Sequence, residues 1–335
     1  MYTVRAGKFR RYHQEGLKQL FDLPTIFKNI RDFFFVIIGL LQSYILMNKI
    51  KPDLVFSRGG YVSVPVCIAA KLNSVKYITH DSDPIPSLTN KIIGKWASLH
   101  LVSAPKDTYP YKKDKIIVTG IPVSTNFKPL NLSLRKQYRK EININEKSKM
   151  LFIIGGGLGA QSLNRAVIEI MPNLMSEFKD LEVVHIVGKS NEKQNIKDYD
   201  KTLTEKQKQR IKIISFTDKV YLYSGAADIV ITRAGATNLA EFAIQGVPCI
   251  IVPSTFLVAG HQLKNAQILS DNNAAIVIKD KEVDDDPYLL AKEVRNLLNN
   301  NSERQRLATE ISKFGYPNAS KKIAAILIKE AENKK

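Results

Sequence analysis

Arg233, Gly235, Thr237 and Glu241 lie close together in DIVITRAGATNLAEFAIQGVPCIIVP, residues 228–253. DIVIT is a β-branched apolar run that suits a buried parallel strand. Ala234, Gly235 and Ala236 let the backbone turn with little side-chain bulk. TNLAEFAIQ has helical spacing, with Leu239, Phe242 and Ala243 on one face and Thr237 and Glu241 one turn apart on another. Gly246 ends the helix, and VPCIIVP is the next strand. A strand–turn–helix of this kind aims backbone N–H groups and the positive end of a helix at one point, where an anion such as a pyrophosphate binds. Arg233 adds charge at the strand tip. The Glu241 carboxylate can accept bonds from the two hydroxyls of a ribose. An ordinary strand–helix crossover with a solvated glutamate fits the same spacing.

The elements that position these residues repeat along the chain. SRGGY (57–61) follows a strand and opens a helix, and GGGLGA (155–160) does the same after MLFII (150–154). Further strands are expected at 75–80, 115–123, 212–216 and 274–278, with helices between them. Two helices are expected after the last strand, and a final helix from Ala319. Such alternation implies an α/β fold of two Rossmann-like doubly wound parallel sheets facing a cleft, with ligands outside the carboxyl ends of the strands. The polar stretch 124–148 reads as an interdomain linker with a helix inside it. The expected division is 1–125, incomplete, and 126–318, with the helix at 319–335 packing back on the first domain.

Composition narrows the partners. A formal net charge of +18 is compatible with a Lys-rich solvated surface, an anionic membrane or an anionic substrate. No nucleic-acid motif accompanies it. Cys67 and Cys249 sit in apolar runs as small core residues, so a disulfide framework is not expected. No Cys/His grouping has metal-ligand spacing, and no protein-ligated metal is expected. Residues 1–31 contain no apolar region with a small-residue cleavage site. Residues 32–47, DFFFVIIGLLQSYILM, are the most apolar stretch. They are fewer than the roughly 20 residues of a spanning helix. A core helix covering the sheet, a helix with an exposed aromatic face dipping into a membrane, and a spanning helix are the three readings.

SRGGYVSVP (57–65), HDSDPIPSLTNK (80–91), TGIPV (119–123), GGGLGAQSLN (155–164), ITRAGATNLAE (231–241) and GHQLKNA (260–266) together resemble the MurG family. These are membrane-associated glycosyltransferases that add N-acetylglucosamine to lipid-linked N-acetylmuramoyl-pentapeptide in peptidoglycan synthesis. The resemblance implies the GT-B architecture and inverting transfer from UDP-N-acetylglucosamine to the undecaprenyl-diphosphate-linked acceptor. It implies peripheral attachment at the cytoplasmic face of the bacterial plasma membrane, without cofactor or nucleic acid. It implies donor contacts from Glu241 to the ribose and from Arg233 in the pocket wall. Gly157, Gly235, Ala236, Thr237 and Asn238 would be near the diphosphate and sugar. Thr217 would meet the uracil, and His261 and Gln262 the N-acetylglucosamine hydroxyls. Gly59, Gly60 and Tyr61 would face the lipid diphosphate, and Phe33, Phe34, Ile37 and Tyr44 the membrane. Asp83 and Ser124 stand where the family usually has Asn and Arg, and are kept as candidate cleft residues. HDSD (80–83) reads as loop and cap. The family's first Gly turn, with a histidine near the reaction centre, has no counterpart here. The expectation is therefore a chain shortened by roughly two strand–helix units, and no catalytic base is assigned. A diacylglycerol glycosyltransferase and a non-catalytic UDP-sugar-binding protein are the alternatives.

Overall fold

The computed structural model describes residues 1–8, 23–156, 160–254 and 260–333. The chain divides into two compact units, Met1–Pro122 with Asn318–Lys335, and Val123–Pro317. With elements numbered in chain order, the first unit holds α1 (Leu23–Ile50), β1 (Leu54–Ser57), α2 (Ser63–Leu72), β2 (Lys76–Asp81), α3 (Leu88–Ile93), β3 (Leu99–Val102) and β4 (Ile116–Val118). Its last element is α14 (Ala319–Glu332). The strands are parallel in the order β1-β2-β3-β4. Alternation along each strand splits the core. Val55 and Tyr77 face a layer with Cys67, Ala69 and Ala70 of α2. Phe56, Ile78 and Leu101 face Ile323 of α14.

α1 is longer than residues 32–47 and is not a core helix over the sheet. Pro24 sits in its first turn, where a missing N–H costs nothing. Lys51, in the left-handed region at φ 49°, and then Pro52 close it. α2 occupies the sheet face, so α1 packs on α2 through Leu40 and Met47. Only 17% of its apolar window is buried, although Pro24–Ile50 is long and apolar enough to cross a bilayer.

The second unit holds α4 (Leu132–Glu141), β5 (Lys149–Ile154), α5 (Gln161–Glu177), β6 (Leu181–Ile186), α6 (Glu192–Thr202), α7 (Glu205–Lys208), β7 (Ile211–Ile214) and α8 (Val220–Ala226). It continues with β8 (Ile229–Thr232), α9 (Ala236–Gln245), β9 (Cys249–Ile251), α10 (His261–Asp271) and β10 (Ile276–Val277). Three helices follow rather than two: α11 (Asp280–Asp285), α12 (Tyr288–Asn299) and α13 (Asn301–Ser312). All six strands are parallel, in the order β10-β9-β8-β5-β6-β7. This is the doubly wound order, with the winding reversing between β5 and β8. One apolar layer, from α5 and α12, covers one face; α8, α9 and α10 cover the other.

The 124–148 stretch is not a linker but part of the second unit, with Tyr138 and Arg139 buried. Arg135 and Arg139 of α4 each donate to the Asp228 carboxylate, at 2.6 and 2.8 Å, and Met150 N donates to it at 2.8 Å. Arg139 also bonds the carbonyls of Ala226, Glu146 and Ser148. The basic residues of this polar helix thus satisfy carbonyls at the start of the sheet.

Candidate functional site

In a doubly wound sheet the crevice lies at the carboxyl ends of the strands on either side of the reversal, here β5 and β8. Both strands run into helices whose first residues have no side-chain cap: Ala160 before α5 and Gly235 before α9. Their first-turn N–H groups are left for another acceptor. The turn after β5 requires glycine. A Cβ on Gly155 would stand 2.5 Å from that of Ala160, and Gly156 has φ 90°.

Beside this point lies a cavity of about 520 Å³, walled by Ile154, Gly156, Ile186, Gly188, Lys189, Ser190, Ser215, Phe216, Thr217, Val220 and Asn238. These residues come from β5, β6, the turns that follow β5, β6 and β7, and the first turns of α8 and α9. Thr217 lines it, and its Oγ1 accepts from Lys219 N at 3.0 Å and so caps its own turn. Phe216 was not anticipated. It is exposed, with Lys189 Nζ 4.8 Å from its ring centre. The only trace in sequence was an aromatic residue at a strand end.

Asn238 shares a face of α9 with Glu241, three residues on. Glu241 is half-buried, and among the described residues no cation or hydrogen-bond donor pairs with it. Burial raises its carboxyl to about 7. A carboxylate held this way has its acceptor capacity in reserve for a ligand. Thr237 is exposed, and Gly235 and Ala236 are half-buried in the turn.

Arg233 corrects the expectation that it lines the pocket. It is 5% exposed, and its Nη1 donates to Asp280 Oδ1 at 2.7 Å and to the Val252 carbonyl at 3.0 Å. Its Nη2 bonds the Ser162 hydroxyl. A buried guanidinium needs a carboxylate, and Asp280 supplies it.

His261 and Gln262 begin α10, both half-buried. Gln262 Oε1 accepts from Ser254 N at 2.8 Å. Asn265 of the same helix donates to the Ala234 carbonyl at 3.0 Å and braces the turn after β8. Gly157 lies outside the described residues.

In the first unit, Gly59 and Gly60 have φ 83° and 85°, and Ser63 Oγ closes the loop onto the Gly59 carbonyl at 2.8 Å. Tyr61 is exposed beside them. Asp81 ends β2 rather than sitting in a loop. Its carboxylate accepts from Asn90 Nδ2 at 2.7 Å and Tyr111 OH at 2.9 Å, while burial raises its pKa. Asp83 is half-buried in the first unit, and Ser124 is exposed in the second. Phe33, Phe34, Ile37 and Tyr44 are all exposed on α1.

The chain matches the glycosyltransferase family 28 C-terminal domain over residues 150–323. It matches the N-terminal domain of the same family over residues 12–101. It is 32% identical over 317 residues to the UDP-N-acetylglucosamine--N-acetylmuramyl-(pentapeptide) pyrophosphoryl-undecaprenol N-acetylglucosamine transferase of Natranaerobius thermophilus, covering 93% of this chain and 83% of that protein. The protein of the same name from Borreliella burgdorferi is 31% identical over 336 residues, 99% of this chain and 83% of that one. Crystalline MurG of Acinetobacter baumannii superposes with a TM-score of 0.69 at 24% identity, over 88% of this chain and 80% of that one. At that identity the likeness bears on the fold alone.

Proposed function

The chain belongs to glycosyltransferase family 28, in its MurG branch, and from that premise we propose that it transfers N-acetylglucosamine from UDP-N-acetylglucosamine to undecaprenyl-diphosphate-linked N-acetylmuramoyl-pentapeptide. The acceptor hydroxyl attacks the anomeric carbon from the face opposite the diphosphate. The bond from that carbon to the diphosphate oxygen breaks, UDP leaves with the electron pair, and a general base takes the hydroxyl proton. UDP leaves against the uncapped starts of α5 and α9, without a metal ligated by the chain. Glu241 receives the ribose hydroxyls, and the cavity walled by Phe216 and Thr217 takes the base. The single observation that carries the donor assignment is Glu241, half-buried and unpaired among the described residues one turn from that cavity. A diacylglycerol acceptor is not favoured, because relatives about as similar as 32% carry the muramoyl acceptor in their names.

The test is transfer of labelled N-acetylglucosamine to the lipid-linked muramoyl acceptor, alongside titration of the chain with UDP-N-acetylglucosamine. Binding with transfer is expected. Transfer to diacylglycerol instead, or no binding, would refute the assignment.

We also propose peripheral attachment to an anionic bilayer through α1. Phe27, Ile30, Phe34, Ile37, Leu41 and Tyr44 recur at alternating steps of three and four residues, all exposed. Phe34 is 58% and Ile45 65% exposed. Lys28, Arg31 and Lys49 are exposed on the same helix. Each basic residue near an anionic surface contributes about 1 kcal/mol, which salt screens. The apolar term is not screened. Sedimentation with anionic vesicles should therefore weaken, but not vanish, at high salt. Phe34→Glu should leave the melt unchanged and weaken binding at least about tenfold, from the apolar surface lost. A folded Phe34→Glu variant that sediments like the parent would exclude that residue as an anchor.

A further inference from the structure

Arg233 opens the turn into α9, Ser162 lies in the first turn of α5, and Asp280 is the first residue of α11. Their side chains meet in one buried group. Asp280 Oδ1 accepts from Arg233 Nη1 at 2.7 Å and from Ser162 Oγ at 3.1 Å. The same guanidinium holds the carbonyl of Val252, just beyond β9. Asp280 is 1% exposed, and its Oδ2 has no hydrogen-bond partner among the described residues. Arg233 is therefore the one cation compensating that charge there, and it cannot turn toward a ligand without stranding a buried carboxylate. Through this group one carboxylate is tied to the starts of α5 and α9, the two helix ends that flank the reversal point of the sheet.

We propose that Asp280 is a positioning residue for donor binding. Acting through Arg233 and Ser162, it sets the two helix N-termini at the spacing a diphosphate needs, and Arg233 serves the site from behind rather than by touching the ligand. This rests on the donor assignment above. A buried ion pair adds little net stability once desolvation is subtracted, but its directed bonds fix orientation. Short-range placement is what an anion site made of backbone N–H groups depends on.

Asp280→Asn separates the two roles of Arg233 by sign. If Arg233 contacted the diphosphate, removing a neighbouring negative charge would strengthen binding of UDP-N-acetylglucosamine. If Asp280 positions, binding weakens, by about five- to fiftyfold, and Arg233→Gln combined with Asp280→Asn is no worse than the weaker-binding single variant. The full chain is titrated calorimetrically in each form, with affinity taken per folded molecule from a parallel melt. Amide exchange gives a readout that needs no ligand. The Asn164 amide, bonded to the Ala160 carbonyl at 2.8 Å in the first turn of α5, should exchange about tenfold faster in Asp280→Asn, while β6 amides stay as protected as in the parent. If Asp280→Asn does not fold, Ser162→Ala removes the two bonds of the Ser162 hydroxyl but keeps the Arg233–Asp280 pair, and each folded molecule should bind about two- to fivefold more weakly. Unchanged or tighter binding, or unchanged exchange at Asn164, overturns the assignment. A parent chain that binds no UDP-N-acetylglucosamine overturns the donor site itself, and exchange at Asn164 still judges the positioning group.

Discussion

Asp228→Ala is expected to destabilise the second unit by about 3–5 kcal/mol, the penalty for stranding the buried Arg139 guanidinium by removing its counter-charge. The Arg139 side chain is 6% exposed and bonds one carboxylate oxygen of Asp228; Arg135 takes the other. Met150 N shares the first of these oxygens, so β5 loses a partner at its start as well. Since a domain of this size has only about 5–15 kcal/mol in hand, the variant should unfold at much lower denaturant. The comparison is Glu177→Ala, which breaks the Arg295 pair on the surface, where both side chains are 39% exposed. That change should cost under about 1 kcal/mol. Urea denaturation of both variants, followed by tryptophan-independent far-UV signal, decides the matter. Equal, small losses would mean that the α4 contact is not structural.

Glu241→Gln should remove a pH dependence from donor binding. With the carboxyl raised to about 7, the parent is mostly protonated at pH 6 and mostly ionised at pH 8. Two ribose hydroxyls donate best to the ionised form, so UDP-N-acetylglucosamine should bind the parent about tenfold more tightly at pH 8 than at pH 6. The sugar nucleotide is the right titrant, because its diphosphate is esterified at both ends and does not titrate there. The glutamine variant should bind about tenfold or more weakly than the parent at pH 8 and respond little to pH. Stability moves the other way. An acid whose folded pKa is raised binds more protons in the folded state between about 4.5 and about 7, so the parent loses stability as pH rises through that window. Glu241→Gln should therefore be more stable than the parent above pH 7, by about 1–3 kcal/mol, and level with it below pH 4.5. A flat parent affinity between pH 6 and 8 would place the ribose elsewhere.

The doubly wound fold was legible because its signals are local. DIVIT is β8, TNLAEFAIQ lies within α9, and Gly246 caps that helix at φ 66°. What sequence spacing could not show is pairing across the chain. Arg233 at a strand tip looks like a ligand contact until Asp280, at the start of α11 and five elements on, is found against it. Phe216 and Lys189 meet across the ends of two adjacent strands, with nothing in either segment to announce it. The residues of α4 are mostly polar, and a polar stretch reads as exposed; Arg139 is buried because its guanidinium meets backbone carbonyls and a carboxylate. α6 behaves similarly: its Lys-rich face says nothing about Asn195 and Tyr199, buried on the inner side. α1 misled in the opposite sense. Its apolar run fits a core, but α2, with its small Ala69 and Ala70, already fills that place.

The first unit contains both chain ends, since α14 lies on the sheet face that carries Ile78 and Leu101. On the ribosome, Leu101 emerges long before Ile323. At about 5–20 residues per second, that face waits on the order of tens of seconds for its cover, while the second unit is made in the interval and can fold first. During that wait, Phe56, Ile78 and Leu101 are open to chaperones and to other nascent chains. A stop codon just before Asn318 would spare the second unit and leave the first permanently in the state it otherwise passes through. Loss of α14, made late, would thus be felt in strands made early.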